Sequence, residues 1–208
     1  LVNDQATRKN IMSALGSWLA SRVKEQDSVI IFYSGHGAPD TNTKKAYLVP
    51  SDADPAAAFR ANAMGTFHVL EAARLLDVAQ VLFASTIATY GVDVREPVVD
   101  DYTLQRPQLF YGCTKVFSEL LGKFYKRKYG LDYRGVRYPS IVGPGVKTPG
   151  IVQYNAWVIE DCGKGNPYTM YVKPETRCPV MYFKDAGKAI VMLGKAPLEN
   201  IKMVNYII

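Results

Sequence analysis

Cysteine is scarce in this 208-residue chain: Cys113, Cys162 and Cys178 are the three present. They show no CxxC or Cys/His spacing, so the pattern of a structural zinc site is missing and no metal is expected. Three scattered thiols also make no disulfide framework, and such usage fits a reducing cytoplasm. No apolar run approaches the ~20 residues that a membrane span needs, and the first residues do not read as a signal peptide. The expectation is a cytoplasmic protein without a membrane partner. Charge of one sign is not in large excess, with 25 Lys and Arg against 19 Asp and Glu. Its densest part is Lys123, Lys126, Arg127 and Lys128, interleaved with Phe124, Tyr125 and Tyr129. Cations favour a helix carboxyl end, so this cluster reads as the solvated end of a helix and no nucleic-acid partner is expected. Internal repeats and low-complexity tracts are missing too.

What is present is ordinary for one α/β domain with a small appended lobe. Hydrophobic residues make up 48% and charged residues 21%, enough to bury a core without disulfides. Asp4 to Lys24 reads as an amphipathic helix, because Ile11, Leu15, Trp18, Leu19 and Val23 recur at three- and four-residue steps. Asp27 to Tyr33 is a continuous apolar run of the kind buried parallel strands show, Ser34 to Gly37 a loop, and Ala46 to Val49 a short strand. A helix follows Pro55, with Met64, Phe67, Val69, Leu70, Ala73 and Leu76 on its apolar face. Val81 to Ala84 is the next strand. A helix over 114–129 should turn Val116, Phe117, Leu120, Leu121 and Phe124 inward and stop at Gly130. Asp132 to Tyr138 and Met203 to Ile208 are further strands. Strand and helix alternating at these intervals predict a three-layer α/β sandwich, with a mainly parallel, Rossmann-like sheet of four or five strands. The Gly- and Pro-rich stretch at about 143–182 breaks the rhythm and reads as a substrate-side lobe.

The chemistry starts from Tyr111-Gly112-Cys113-Thr114-Lys115. Four residues of spacing put Tyr111 and Lys115 one turn apart on a helix face. A nearby ammonium favours the phenolate, so Lys115 is expected to lower the tyrosine toward working pH, where it serves as general acid or base. By itself the pair is a weak signal. Upstream, Ala84-Ser85-Thr86-Ile87-Ala88-Thr89-Tyr90-Gly91 directly follows the Val81 strand. Ligands of open α/β sheets gather at the carboxyl ends of strands, so Ser85 and Thr86 are placed to orient a reacting carbonyl or alcohol toward Tyr111.

These residues resemble a known family. Asn62-Ala63-Met64-Gly65-Thr66, Leu70-Glu71-Ala72-Ala73, Ser85-Thr86 with Tyr90-Gly91, Tyr111 with Lys115, and Arg137-Tyr138-Pro139 recur in order and spacing in the extended short-chain dehydrogenase/reductase (NAD-dependent epimerase/dehydratase) family. Within it, Gln105-Arg106-Pro107, Tyr129-Gly130-Leu131-Asp132 and Arg177-Cys178-Pro179-Val180-Met181-Tyr182 look like the L-threonine 3-dehydrogenase branch. The resemblance covers residues 56–208. It implies NAD as cofactor and a small alcohol or ketone as substrate. By position it makes Tyr111 the acid/base, Lys115 its partner, and Thr86, with Ser85 beside it, the catalytic hydroxyl. Tyr138, Pro139 and Ser140 would meet the nicotinamide end of the cofactor, and Arg177 the cofactor or substrate. One departure concerns Ile151 and Val152, which stand where that branch carries two threonines against its amino-acid substrate.

Residues 1–55 depart further. The family opens with strand, GxxGxxG and helix, where backbone N–H groups cradle a pyrophosphate; residues 1–60 contain no such motif. Ala6 to Ile11, Asp27 to Gly37 and Tyr47 to Pro55 instead look like the middle of a caspase-like, metacaspase-type cysteine peptidase. That resemblance makes His36 a general base, but the next strand ends in Ser85-Thr86 with no cysteine, so His36 is expected to be vestigial. The whole reads as a chimera of a caspase-like fragment at 1–55 and the C-terminal part of a dehydrogenase. Three functions are carried forward: a short-chain dehydrogenase-type oxidoreductase weakened by the missing loop, a recombined scaffold without catalysis, and a caspase-like peptidase lacking its cysteine. A sheet cut at the Asp27–Tyr33 strand would expose an apolar edge, which invites a homodimer.

Overall fold

The computed structural model describes residues 55–145 and 154–208, together with Ser21 and the strand residues 38–39 and 46–47. The two short strands β1 (Ala38–Pro39) and β2 (Ala46–Tyr47) pair antiparallel, so the expected Ala46–Val49 strand is seen at its first two residues. The expected Asp4–Lys24 helix, the Asp27–Tyr33 strand whose edge suggested a homodimer, the His36 loop, and Ile151 and Val152 lie outside the described residues.

From Pro55 the chain runs helically through α1 (Pro55–Ala58), a π-helical segment (Phe59–Met64) and α2 (Gly65–Leu75). Then come β3 (Gln80–Thr86), a single 3-10 turn (Ile87–Thr89), a long connection, and α3 (Phe110–Tyr129). Gly130 closes α3 with φ of 74°, the left-handed conformation that glycine adopts without steric cost, as its position in the sequence predicts. The order continues with β4 (Asp132–Tyr138), β5 (Ser140–Val142), α4 (Tyr154–Gly163), β6 (Val180–Tyr182), α5 (Phe183–Lys195) and β7 (Asn205–Ile207).

Among the described residues the main sheet has three strands in the order β3-β4-β7, all parallel, and β5 and β6 form a separate parallel pair. Residues Gln80 to Thr86 lie in register with Asp132 to Tyr138, which brings the carboxyl ends of β3 and β4 to one edge. Strand alternation then sorts the core. Val81, Phe83 and Tyr133 face Leu70, Ala73 and Tyr125 of the α2–α3 layer, while Leu82, Val136 and Tyr138 face Ala186 and Ile190 of α5. Helices on both faces of a parallel sheet make the expected three-layer, Rossmann-like architecture.

Two helix expectations need correction. Helix α3 begins at Phe110, four residues before the expected Thr114, and its start went unread because Leu109 at the N-cap supplies no side-chain cap. Its buried face is also not the apolar stripe. Phe117 is 43% exposed and Leu120 60% exposed, whereas Gly112, Thr114, Lys115, Ser118, Glu119, Gly122 and Tyr125 are buried. In the helix after Pro55 the expectation holds at Leu70 and Ala73, which are buried in the core, and fails at Met64, Phe67 and Leu76, which are exposed, while Asn62, Ala63 and Thr66 face in. The reason is close approach. Small and polar residues let α3 lie against the 59–75 helix, and they bond one another except at Asn62 Oδ1, which is buried without a partner. Asn62 Nδ2 donates to Thr114 Oγ1 (3.2 Å), the Thr66 hydroxyl to Asn62 O (2.6 Å), and the Ser118 hydroxyl to Thr66 Oγ1 (3.1 Å). The Asn62 carbonyl, in the π-helical segment, takes the Gly65 N–H as well as the Thr66 hydroxyl.

Candidate active site at the ends of β3 and β4

Three consecutive residues at the end of β3 are gripped by three residues of α3 spaced by four. The Thr86 side chain lies close enough to the Tyr111 phenol to draw its pKa down. Lys115 Nζ donates to the Ala84 carbonyl at 2.9 Å. The Ser85 hydroxyl donates to Glu119 Oε1. Positions i, i+4 and i+8 share one face of a helix, so a single helix face meets a single strand end. Thr86 Oγ1 also accepts the Ala88 N–H at 3.1 Å, which starts the 3-10 turn and fixes the hydroxyl.

The electrostatics differ from the sequence expectation. Burial holds the Tyr111 phenol above its ordinary range, and only the Thr86 side chain works against that. Lys115 does not act on the phenol as expected, because its ammonium is turned to Ala84 O and over the Phe83 ring, 5.7 Å from the Tyr111 ring centroid. Burial pulls Lys115 itself down to about 8, while the Glu119 carboxylate raises it. A buried ammonium with one hydrogen bond beside a buried phenol on a serviced hydroxyl is an apt proton-handling pair.

The other expected residues divide. Ser85 lies beside Thr86 in sequence, but its hydroxyl donates to Glu119, two helical turns from Tyr111 on α3. Tyr138 points the other way: it is buried in the α5 core and its hydroxyl donates to Ala186 O at 2.8 Å, so its side chain is not presented beside Tyr111. Ser140 is buried with an Oγ that has no hydrogen-bond partner, and Pro139 is half-buried next to it. Arg177 is exposed in the lobe. That lobe contains an open cleft of about 540 Å³ lined by Tyr154, Asn155, Met170, Val172, Cys178 and Val180, where Asn155 Nδ2 donates to Cys178 Sγ (3.1 Å). Neither Tyr111 nor Lys115 lines it.

Two residues were missed by sequence reasoning. Glu119 is 2% exposed and Arg137 6% exposed, and they form a bidentate pair in which Arg137 Nη2 lies 2.8 Å from Glu119 Oε2. Gln105 Nε2 adds a bond to Glu119 Oε2 (3.0 Å), and Arg137 Nη1 donates to the Tyr90 hydroxyl (2.8 Å). The signal was available. Glu119 stands four residues after Lys115, and Arg137 has the same strand parity as Tyr133.

NAD, the cofactor that the resemblance implies, can be tested against these residues. The orphaned Ser140 hydroxyl at the start of β5 and the singly bonded Lys115 ammonium suit the hydroxyl and amide groups of a nicotinamide riboside. For the pyrophosphate, residues 1–60 contain no GxxGxxG. At the nicotinamide end, the groups present fit.

A parallel sheet between two helix layers, with a Tyr-x-x-x-Lys pair closing on a strand-end hydroxyl, defines a Rossmann-like domain of the short-chain dehydrogenase kind. Comparison with known proteins agrees. The NAD dependent epimerase/dehydratase family matches residues 46–206, and the chain belongs to that family. The metacaspase, peptidase C14 domain family matches residues 1–71. L-threonine 3-dehydrogenase, mitochondrial, from Bos taurus is 33% identical over 138 residues, covering 64% of this chain and 37% of the relative. The crystal structure of L-threonine dehydrogenase from Phytophthora infestans superposes with a TM-score of 0.73 at 33% identity, covering 78% of this chain and 54% of that one. UDP-glucose 4-epimerase from Thermotoga maritima, solved with UDP-glucose, gives 0.63 at 25% identity over 68% of this chain and 46% of that one. The chain thus spans roughly a third to a half of the length of these relatives.

Proposed function

We propose that residues 55–208 are the proton-handling half of an NAD-dependent oxidoreductase that interconverts a secondary alcohol and a ketone, and that its turnover in this chain is weak. The observation that carries the reading is the buried Lys115 ammonium at the end of β3, bonded to Ala84 O (2.9 Å) and 5.7 Å from the centroid of the Tyr111 ring, with the Thr86 side chain next to the phenol. In the oxidation direction Thr86 would hold the substrate hydroxyl, Tyr111 as phenolate would take its proton, and Lys115 would stabilise the phenolate once the ammonium leaves Ala84 O. NAD, when bound, supplies the hydride acceptor. Gly112 lets α3 lie close against the 3-10 turn, where an added Cβ would sit 2.1 Å from Ala88 O.

Turnover is proposed weak because residues 1–60 contain no GxxGxxG. Each lost charge-assisted bond to phosphate removes roughly 1.5–3 kcal/mol, and a few of them separate micromolar from negligible binding. The join of a metacaspase-like segment to the dehydrogenase half is part of the same proposal. His36 lacks a cysteine at the end of the following strand, so no peptidase activity is proposed. The test is calorimetry with NAD at millimolar concentration, followed by absorbance assays with L-threonine and simple secondary alcohols. Weak binding that Tyr111→Phe leaves intact, with turnover that it abolishes, is the expected result. No heat of binding at millimolar NAD would reduce the chain to a non-catalytic α/β scaffold.

A further inference from the structure

The contacts of Glu119 go beyond those of a structural ion pair. Its two oxygens collect the Ser85 hydroxyl from β3, three guanidinium contacts from Arg137 on β4, and the Gln105 amide from the connection before α3. This buried carboxylate therefore ties three segments to the helix that carries Tyr111 and Lys115. Lys115 and Glu119, one turn apart, hold the adjacent residues Ala84 and Ser85. With Ser85 so engaged, the next hydroxyl, Thr86, is the one that meets the phenol.

We propose that Glu119 is the positioning residue of this site: it claims the Ser85 hydroxyl so that Thr86 alone serves Tyr111, and its charge keeps the Lys115 ammonium protonated in a buried setting. The proposal rests on the reading of Tyr111 and Lys115 as the proton-handling pair. The charged and titratable groups facing this end of α3 are few. The helix contributes Tyr111 and Glu119; β4 contributes Arg137 and Tyr133; the connection contributes Tyr90, which bonds Arg137. Strand β3 offers Ser85 and the Phe83 ring, and the 59–75 helix offers Asn62 and Thr66, none of them charged. Among the described residues two anions lie here: Glu119, to which Arg137 is committed, and Asp101 of the connection, whose carbonyl accepts from Arg137 Nη1 (3.4 Å) and whose carboxylate accepts the Ile207 N–H. Glu119 is the one on the helix of Lys115, one turn away. An anion held by an arginine and a hydroxyl cannot be neutralised or turned away as easily as a lone carboxylate, so its field at Lys115 is fixed.

The test needs no turnover, so it stands apart from the question of NAD binding. The full chain is labelled with 13C-lysine, the Lys115 signal is assigned with Lys115→Arg, and its titration is followed by the 13Cε shift. In Glu119→Gln the Lys115 pKa is expected to fall by about one unit or more, and in Glu119→Asp, which retains the charge, to return toward the parent. If Glu119→Gln does not fold, the double variant Glu119→Met, Arg137→Met replaces the buried pair by apolar groups, a change often tolerated, and the same fall is expected. With 13Cζ-tyrosine, Thr86→Ala should move the Tyr111 resonance and Ser85→Ala should leave it in place. A Lys115 titration unmoved in a folded variant lacking the Glu119 charge would overturn the proposal. So would a Tyr111 signal that responds equally to the Ser85 and Thr86 substitutions.

Discussion

The two faces of α3 invert the usual arrangement. The face toward the sheet carries Thr114, Lys115, Ser118, Glu119 and Gly122; the face away from it carries Phe117, Leu120 and Phe124. A helix normally buries its apolar stripe because that removes the most area from water. Here the inner face is bound by specific pairs: a carboxylate on a guanidinium, an ammonium on a carbonyl, hydroxyls on a π-helical carbonyl. Such pairs are costly to break singly. The outer aromatics, by contrast, contact mostly one another, as Phe59 with Phe117 and Phe124 with Tyr129.

Substitutions on the two faces should therefore differ sharply, and four of them would break or sharpen the contrast. Glu119→Ala strands Arg137 as a buried, unpaired cation and is expected to cost about 3–5 kcal/mol in denaturant unfolding. A loss below 1 kcal/mol would show that water reaches the pair. Lys115→Met should act in the opposite direction. Lys115 is held at about 8 in the folded chain, against roughly 10.4 when unfolded, so the unfolded state binds more protons between those values. The parent is therefore penalised below pH 8, and that penalty fades as pH rises through 8 to 10.4. Lys115→Met is expected to be more stable than the parent at pH 7, by at most about 3 kcal/mol, with the gap closing toward pH 10.4. A pH-independent difference in unfolding midpoints would refute this.

Gly122→Ala comes next. Its Cβ would fall 2.2 Å from Tyr133 Cζ, and Tyr133 is fully buried. Overpacking of this kind costs about 1–3 kcal/mol, readable as a lowered melting temperature. Smallest is Leu120→Gln on the outer face, where unfolding free energy should change by less than about 0.5 kcal/mol. A larger loss would mean that the outer face is covered by something in solution.

Much of the fold was legible in the residues. The parallel alternation, the Gly130 stop and the strand at 132–138 all appear as expected, because local geometry and short-range apolar pattern specify them. The start of α3 was not legible, since Leu109 offers no cap. The 10-residue helix α4 within the lobe was read as an irregular stretch, its weak amphipathicity giving little periodic signal. The inward direction of α3 was misread because spacing identifies a face without saying which side the sheet occupies.

The site divides the same way. Spacing alone gave the Tyr111–Lys115 pair only as a weak signal, and Thr86 was singled out by the family resemblance; the structure places the three near one another. Ser85 and Tyr138 were readable as neighbours in sequence, yet the two-residue period of a strand sends each of them to a different partner. The sequence alone determined that Tyr111 and Lys115 sit one helical turn apart, because helix geometry is local. Only the tertiary structure decided which strand hydroxyl meets the phenol, and where the lysine's charge is balanced. Those outcomes depend on Glu119 and Arg137, 18 residues apart in sequence, meeting across a helix–sheet interface whose low polarity makes their pairing obligatory.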